Sequence, residues 1–135
     1  MLNLDRGQFL KKYNNTYLTL KEIKPVTKIY KAIKLDKYIF SNSNPLHAEY
    51  IKKEFSHIVK LAKEAYFTPE IKFRKGDINS FKYILGKIKL KPKEILFIDN
   101  GEKYTNLAET LGINTILYKN VEQLKKELIE YGIKL

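Results

Sequence analysis

Three polar side chains in this sequence stand at positions where chemistry is common. Ser41 closes the apolar segment "KYIFS", Asp99 closes "EILFID", and Lys75 lies just before a segment with helical periodicity. A hydroxyl at a strand end can hold an anion together with the N–H groups of the next helix, and a lysine can clamp a phosphate charge. A carboxylate at the end of a buried strand is costly unless it has a partner or a task, such as binding a metal. One interpretation is therefore an anion site with a metal ligand beside it.

Each of these residues also has a purely structural interpretation. Ser41 and Asn42 are typical of a polar turn after a strand, and Asp99 is equally suited to capping a turn or a helix. Lys75 is one lysine among many and is weak evidence when taken alone. Asn100 is suited to three roles, as a neutral metal ligand, a turn residue or a helix N-cap.

The composition predicts one soluble, cytoplasmic domain. The chain has 135 residues, enough for a single hydrophobic core. It has no cysteine, which excludes disulfides and cysteine-type zinc sites. No apolar run approaches the roughly 20 residues of a membrane span, and the start "MLNLDRGQFLKKY" lacks the long apolar core of a signal peptide. The two histidines, His47 and His57, do not form a ligand pair, and we interpret both as surface or helix residues.

The net charge of +11 allows two interpretations. Among the 26 basic residues only Arg6 and Arg74 are arginine, and lysine is a point charge that lacks the bidentate geometry favoured in base and phosphate recognition. The charge therefore indicates either a solvated lysine surface or an anionic partner such as nucleic acid.

Apolar periodicity predicts that helices and strands alternate. Helices are expected over residues 6–22, 26–34, 42–55, 78–88, 103–111 and 121–132, and strands over 37–41, 94–99 and 113–118. Asp77 is expected to cap the helix that follows it, and Gly112 to end the next one. Residues 56–74 fit either a helix or a strand. The face of the last helix that is predicted to be buried carries Val121, Leu124, Leu128 and Ile129.

Strands that are apolar on both faces indicate a parallel sheet that helices cover on both sides. In such sheets ligands bind at the carboxyl ends of the strands. Ser41 and Asp99 both fall at such ends, so we expect the site there.

The order of these features resembles the carboxyl-terminal two-thirds of a haloacid dehalogenase-like (HAD) hydrolase, over about residues 24–131. The second motif of that superfamily is a Ser or Thr that closes a strand, and Ser41 matches it. The third is a lysine before a helix, which Lys75 matches in "RKGDINSF". The fourth is an acidic pair after an apolar strand, which Asp99 matches in "FIDN", although Asn100 replaces the second acid. The downstream "AETLGINTILY" also fits the family.

The resemblance implies a Rossmann-like three-layer α/β sandwich with a mainly parallel sheet, and a cap that is missing or reduced to an N-terminal helix. It implies one domain over residues 1–135, with its core over 25–135. In the family an aspartate attacks a phosphoryl group, and a second aspartate two residues on acts as general acid and base. The hydroxyl and the lysine, here Ser41 and Lys75, hold the phosphoryl oxygens, with Asn42 beside them, and Mg²⁺ neutralises the developing charge.

The first motif of the family, Asp-x-Asp, has no clear match. One candidate is a degenerate motif in which Asn3 replaces the nucleophile and Asp5 is the acid/base. The alternative, which we favour, is that residues 1–24 are the remnant of a cap. In both cases the sequence shows no aspartate nucleophile. The replacement at Asn100 also removes a charge from the metal site, so Asp99 and Asn100 are expected to hold Mg²⁺ weakly.

Three functional hypotheses follow from the sequence. The first is an HAD-like protein, catalytically impaired, that keeps a pocket for a phosphorylated small molecule or another anion. The second is an active Mg²⁺-dependent phosphatase that upstream sequence or a partner chain completes, because a missing strand leaves a sheet edge open for pairing, including pairing in a homodimer. The third is a lysine-rich module that binds nucleic acid or protein.

Overall fold

The computed structural model describes residues 20–135, in which helices and short strands alternate. The helices are α1 (Lys24–Ala32), α2 (Pro45–Glu54), α3 (Ser56–Val59), α4 (Thr68–Ile71), α5 (Ile78–Ile88), α6 (Glu102–Glu109) and α7 (Val121–Glu130), and the strands are β1 (Tyr38–Ser41), β2 (Glu64–Phe67), β3 (Leu96–Asp99) and β4 (Asn114–Leu117). This order confirms the predicted α/β class. None of the helices in this part of the chain is long and apolar enough to cross a bilayer.

Short polar side chains cap the N-termini of three of the helices. Asn44, Asp77 and Asn120 each accept a hydrogen bond from a backbone N–H in the first turn of α2, α5 and α7. Each bond satisfies a donor that has no partner within its helix. The predicted cap at Asp77 is thus confirmed. Gly112, predicted to end the following helix, lies just after α6 with a φ of +79°, a region that favours glycine.

The four strands form two parallel pairs. β1 pairs with β2, with Ser41 opposite Phe67, and β3 pairs with β4, with Asp99 opposite Leu117. Within the described residues no ladder joins one pair to the other, so each of these four strands is paired along one edge only.

Two apolar clusters cover the two faces of the β3–β4 pair. Leu96 of β3 packs against the first cluster and its neighbour Phe97 against the second. Successive side chains of a strand point to opposite faces, so the clusters lie on opposite sides of the sheet. The first joins the strands to α1 and α7, and the second joins them to α5 and α6. Their buried members are Ile29, Ile116, Leu124 and Leu128 in the first and Phe81, Ala108 and Ile113 in the second.

The structure decides several points that the sequence left open or gave differently. Residues 56–74, whose pattern fitted either a helix or a strand, contain α3, β2 and α4. The prediction that Ile129 faces the core is wrong, because this side chain is 62% exposed. His47 lies on α2, as one interpretation expected, but it is buried rather than at the surface. The predicted helix over residues 6–22 lies almost entirely outside the described part, and the described residues 20–22 are not helical.

Candidate functional site

A buried ion pair lies at the carboxyl ends of the strands. Nζ of Lys75 is 2.8 Å from Oδ2 of Asp99, and the two side chains are only 10% and 11% exposed. Asp99 ends β3, whereas Lys75 belongs to the loop between α4 and α5. Because an isolated buried charge is costly, each of these residues supplies the partner that the other needs. Two residues that the sequence suggested separately therefore act as one unit.

Two aromatic rings complete the surroundings of the Lys75 ammonium group. Its Nζ lies 5.2 Å from the ring centroid of Phe40 on β1 and 5.3 Å from that of Tyr104 on α6. At these distances the face of a ring attracts a cation. Sequence reasoning missed both rings. Their positions carried a signal, because Phe40 directly precedes Ser41 and Tyr104 lies in the first turn of the helix that follows Asp99.

The turn after β3 binds the second oxygen of Asp99. The N–H of Gly101 donates to Oδ1 over 2.8 Å. A Cβ atom at position 101 would lie 2.5 Å from the Tyr104 ring and 3.2 Å from the same Oδ1, so a side chain at this position would collide with the ring. Asp99 therefore caps a turn, which is one of the two roles considered for it, and both of its oxygens have partners.

Ser41 and Asn42 end β1 beside Lys75. Oδ1 of Asn42 accepts a long hydrogen bond of 3.5 Å from the backbone N–H of Lys75. Phe40, on the other side of Ser41, contacts the ammonium group of the same lysine. The structure thus brings Ser41, Asn42, Lys75 and Asp99 together at one end of the two strand pairs.

A cavity of about 570 Å³ opens beside this cluster, and we call it the cationic pocket. It is lined by Asn42, Ser43, Asn44, Pro45, His47, Thr68, Pro69, Lys72, Phe73 and Arg74. Two of these side chains are cations and none is acidic. The hydroxyl of Ser43 is buried and has no hydrogen-bond partner in the described part of the chain. Burial lowers the pKa of His47 below its usual 6.5, so this ring is neutral near pH 7 and the positive charge comes from Lys72 and Arg74.

The described residues do not by themselves fit a magnesium ion. Mg²⁺ in proteins is commonly held by one or two carboxylates together with waters and substrate phosphates. Asp99 supplies one carboxylate, but Lys75 and the N–H of Gly101 already engage its oxygens. Asn100, the second predicted ligand, is exposed just beyond the strand. Across residues 20–135, no group of three or more His, Cys, Asp or Glu side chains is placed to hold a metal.

The two residues of the degenerate first motif lie outside the described part of the chain. Asn3 and the proposed acid/base Asp5 therefore stay predictions, as does the interpretation of residues 1–24 as a cap remnant.

Solved structures with this architecture include HAD enzymes, a dehalogenase and a hydrolase. The chain is 26% identical to the HAD family enzyme BT-2542 from Bacteroides thetaiotaomicron, which was crystallised as an Asp-to-Ala variant with magnesium and inorganic phosphate. The match has a TM-score of 0.61 and covers 80% of this chain and 53% of that one. L-2-haloacid dehalogenase from Xanthobacter autotrophicus, with chloropropionic acid covalently bound, is 18% identical with a TM-score of 0.72, over 99% of this chain and 55% of that one. A hydrolase from Streptococcus pneumoniae TIGR4 is 17% identical with a TM-score of 0.70, over 94% and 68% of the two chains.

These likenesses agree with the arrangement described above. No protein-family model matches the sequence. The chain spans about half the length of the Bacteroides enzyme. The chain therefore has the Rossmann-like fold of the haloacid dehalogenase-like hydrolases.

Proposed function

We propose that this chain binds a phosphorylated small molecule or a similar anion at the carboxyl ends of its strands, and that it does not hydrolyse the ligand by itself. The observation that carries the proposal is the cationic pocket, whose lining among the described residues includes Lys72 and Arg74 and no acidic side chain. The net charge of +11 adds a long-range attraction for anions. The Bacteroides enzyme was crystallised with inorganic phosphate, which supports phosphate as the ligand class.

We assign the phosphate oxygens to Ser41 and Lys75, with Asn42 beside them. Asp99 compensates the charge of Lys75, so an incoming phosphate shares this cation rather than meeting a free one. The remaining attraction comes from Lys72 and Arg74 in the adjoining pocket. Charge-assisted hydrogen bonds of this kind are about twice as strong as neutral ones.

We infer the absence of turnover from the missing first-motif nucleophile and from the weakened metal site at Asp99 and Asn100. The HAD reaction needs a carboxylate nucleophile and a magnesium ion that neutralises charge. By the resemblance Asp99 is the fourth-motif acid, which holds the metal rather than attacking the substrate, and both of its oxygens are already engaged by Lys75 and by the N–H of Gly101. The described residues bring no second carboxylate into contact with this pair.

Titration with inorganic phosphate, followed by amide NMR, tests the binding. We expect shifts at residues 41–43 and 72–75 and several-fold weaker binding for Ser41→Ala. The matched control is Ser56→Ala at an exposed helix start, which should bind like the unaltered chain. With p-nitrophenyl phosphate and Mg²⁺ we expect no turnover. Turnover that is abolished by Asp99→Ala would contradict the proposal that the chain is inactive.

A second candidate function is a Mg²⁺-dependent phosphatase that upstream sequence or a partner chain completes. The observation that favours it is that, within residues 20–135, β1 and β3 each pair on one edge only, next to Lys75 and Asp99. A carboxylate delivered between those strands would supply both a nucleophile and a further oxygen ligand for the metal. Hydrolysis of p-nitrophenyl phosphate that appears only when the completing segment is added would support this function, and no hydrolysis by a fully bound complex would contradict it.

A further inference from the structure

Two aromatic rings lie together at the cationic pocket, and we call them the aromatic pair. Phe73 lines the pocket, and its ring centroid is 5.9 Å from that of Tyr83 on α5, with the ring planes tilted by 49°. Neither ring belongs to the two apolar clusters of the described chain. Tyr83 is 36% exposed and Phe73 is half-buried, so the pair keeps part of its surface accessible instead of packing in the core.

Cations lie beside the aromatic pair. Lys72 and Arg74 flank Phe73 in the sequence, line the same pocket and are both exposed. Nζ of Lys87 lies 5.4 Å from the ring centroid of Tyr83. The guanidinium group of an arginine can itself stack on a planar ring. Positive charge next to accessible aromatic rings is the combination with which proteins hold a phosphate and an attached base at the same time.

Thr68 holds the backbone of Ser43 at the pocket. The buried hydroxyl of Thr68 accepts a hydrogen bond from the N–H of Ser43 and donates one to its carbonyl oxygen, both over 3.0 Å. The hydroxyl of Ser43 itself is buried and has no hydrogen-bond partner within residues 20–135. Because a buried hydroxyl without a partner is costly, a ligand that supplies the partner gains affinity there.

One small molecule can reach both the aromatic pair and the residues to which we assign the phosphate. Phe73 is two residues from Lys75, so their Cα atoms are no more than about 7 Å apart. Asn42, which follows Ser41, lines the cationic pocket and accepts a hydrogen bond from the backbone N–H of Lys75. The aromatic rings and the proposed phosphate site are therefore adjacent.

We propose that the cationic pocket selects phosphate esters whose organic group is a planar aromatic ring, which stacks on Phe73 while the phosphate lies at Ser41 and Lys75. For the position of the phosphate this inference rests on the proposed function. Nucleoside monophosphates and simple aryl phosphates share the chemistry. The hydroxyl of Ser43 is the hydrogen-bond partner for a polar atom of the ligand within the pocket.

A neighbouring groove is less suited to the organic group. It has a volume of about 390 Å³, shares Pro45 and Pro69 with the cationic pocket, and has no aromatic side chain in its lining among the described residues. Its lysine, Lys52, is paired with Glu70, and Glu49 adds a negative charge that repels a phosphate ester. This groove would favour an aliphatic group, so the choice between the two surfaces is a choice between aliphatic and aromatic ligands.

Phenyl phosphate and cyclohexyl phosphate are a matched pair of ligands for the test, because they have similar size and equal charge and differ in whether the ring is planar and aromatic. In NMR titrations we expect phenyl phosphate to bind at least about fivefold more tightly. Amide shifts at residues 72–74 and 83 should be larger with the phenyl ester. Equal affinities for the two esters would overturn the inference and leave the proposed phosphate binding intact.

Leucine variants locate the stacking surface. Phe73→Leu keeps an apolar side chain but removes the ring, so it should lower the affinity for phenyl phosphate to that for the cyclohexyl ester and leave inorganic phosphate binding unchanged. Tyr83→Leu, at an exposed position, should weaken the same preference, whereas Phe73→Tyr should keep it. The matched control is Tyr131→Leu, just beyond α7 at a side chain that is 48% exposed, which should bind like the unaltered chain. A preference that survives both Phe73→Leu and Tyr83→Leu would overturn the inference.

Adenosine monophosphate, and the ribose phosphate that lacks its base, distinguish the two sources of the ligand. If the nucleotide binds more tightly than both phenyl phosphate and the ribose phosphate, the pocket is assigned to nucleoside monophosphates. If phenyl phosphate binds more tightly than the nucleotide, the pocket is assigned to simple aryl phosphates. Binding of inorganic phosphate without binding of either aromatic ester would overturn this inference alone. A chain that binds none of these anions would contradict the proposed function as well.

Discussion

At the scale of single residues, pairing changes what Lys75 and Asp99 can do. Taken alone, each is a charged side chain that could bind a ligand or a metal. Together they form a buried ion pair with no net charge. The phenyl ring of Phe40 and the phenol ring of Tyr104 contact the same ammonium group. The pair is therefore a structural link between the two halves of the sheet as well as the centre of the candidate site.

Replacing Lys75 by methionine should leave Asp99 buried without its cation. Removing one partner of a buried ion pair costs about 3–5 kcal/mol, so we expect the free energy of unfolding of Lys75→Met to fall by about that amount in urea titrations. The double variant Lys75→Met, Asp99→Asn removes both charges and should recover most of the loss. If the double variant were as unstable as the single one, the unpaired charge would not be the cause.

The buried His47 should make stability depend on pH. Burial lowers its pKa below the usual 6.5, so as the pH falls below about 6.5 the unfolded chain takes up a proton that the folded chain does not. The contribution of this residue to stability is therefore complete above that pH and is lost as the pH falls. We expect His47→Gln to reduce the acid-induced loss of unfolding free energy between pH 7 and pH 5. The control, His57→Gln at a partly exposed ring beside Glu22, should keep the acid sensitivity that His47 causes.

At the scale of elements, the turn from β3 into α6 is the part of the site most constrained by packing. Asp99, Gly101 and Tyr104 fit together there because position 101 carries no side chain. The start of α6 and the orientation of the Asp99 carboxylate therefore depend on a single glycine.

A methyl group at position 101 should destabilise the protein. Its Cβ would lie 2.5 Å from the Tyr104 ring, and overpacking of this kind costs about 1–3 kcal/mol. The matched control is Gly86→Ala in α5, where nothing lies within 4 Å of the new Cβ. There we expect a gain of about 0.5–1 kcal/mol because alanine favours a helix interior. Thermal and urea unfolding measure both changes, and equal effects at the two sites would refute the steric explanation.

At the scale of the whole molecule, the charge of +11 is spread over a mostly lysine surface. This charge favours anions of any kind, whereas the cationic pocket favours a small anion at one place. The two contributions differ in their response to salt and to substitution at the site.

Binding to nucleic acid by the lysine surface should fall steeply with salt. A protein that neutralises six to ten phosphates loses about 10³–10⁵ in affinity between 50 and 200 mM salt. We expect such a loss in fluorescence anisotropy with a duplex DNA, and the same affinity for the unaltered chain and Ser41→Ala. Binding that keeps its strength in salt, or that Ser41→Ala abolishes, would instead place the nucleic acid in the phosphate site.

The sequence by itself determined most of the local elements and their order, except over residues 56–74, where it left α3, β2 and α4 unassigned. The apolar periods, the cap at Asp77 and the polar ends of β1 and β3 depend on residues close together in the chain, so they could be predicted. The order of Ser41, Lys75 and Asp99 also carried the resemblance that the solved structures support at the level of the fold. Local patterns were sufficient here because helix and strand periods reflect which face of each element is buried.

Only the tertiary structure decided which residues meet and which faces are covered. Lys75 and Asp99 are 24 residues apart, and their pairing depends on the packing of separate elements. Leu128 is buried whereas its neighbour Ile129 is 62% exposed, because no element of the described chain covers that side of α7. The division of the four described strands into two parallel pairs was likewise not predictable from periodicity, since an apolar strand has the same pattern whichever neighbour it has.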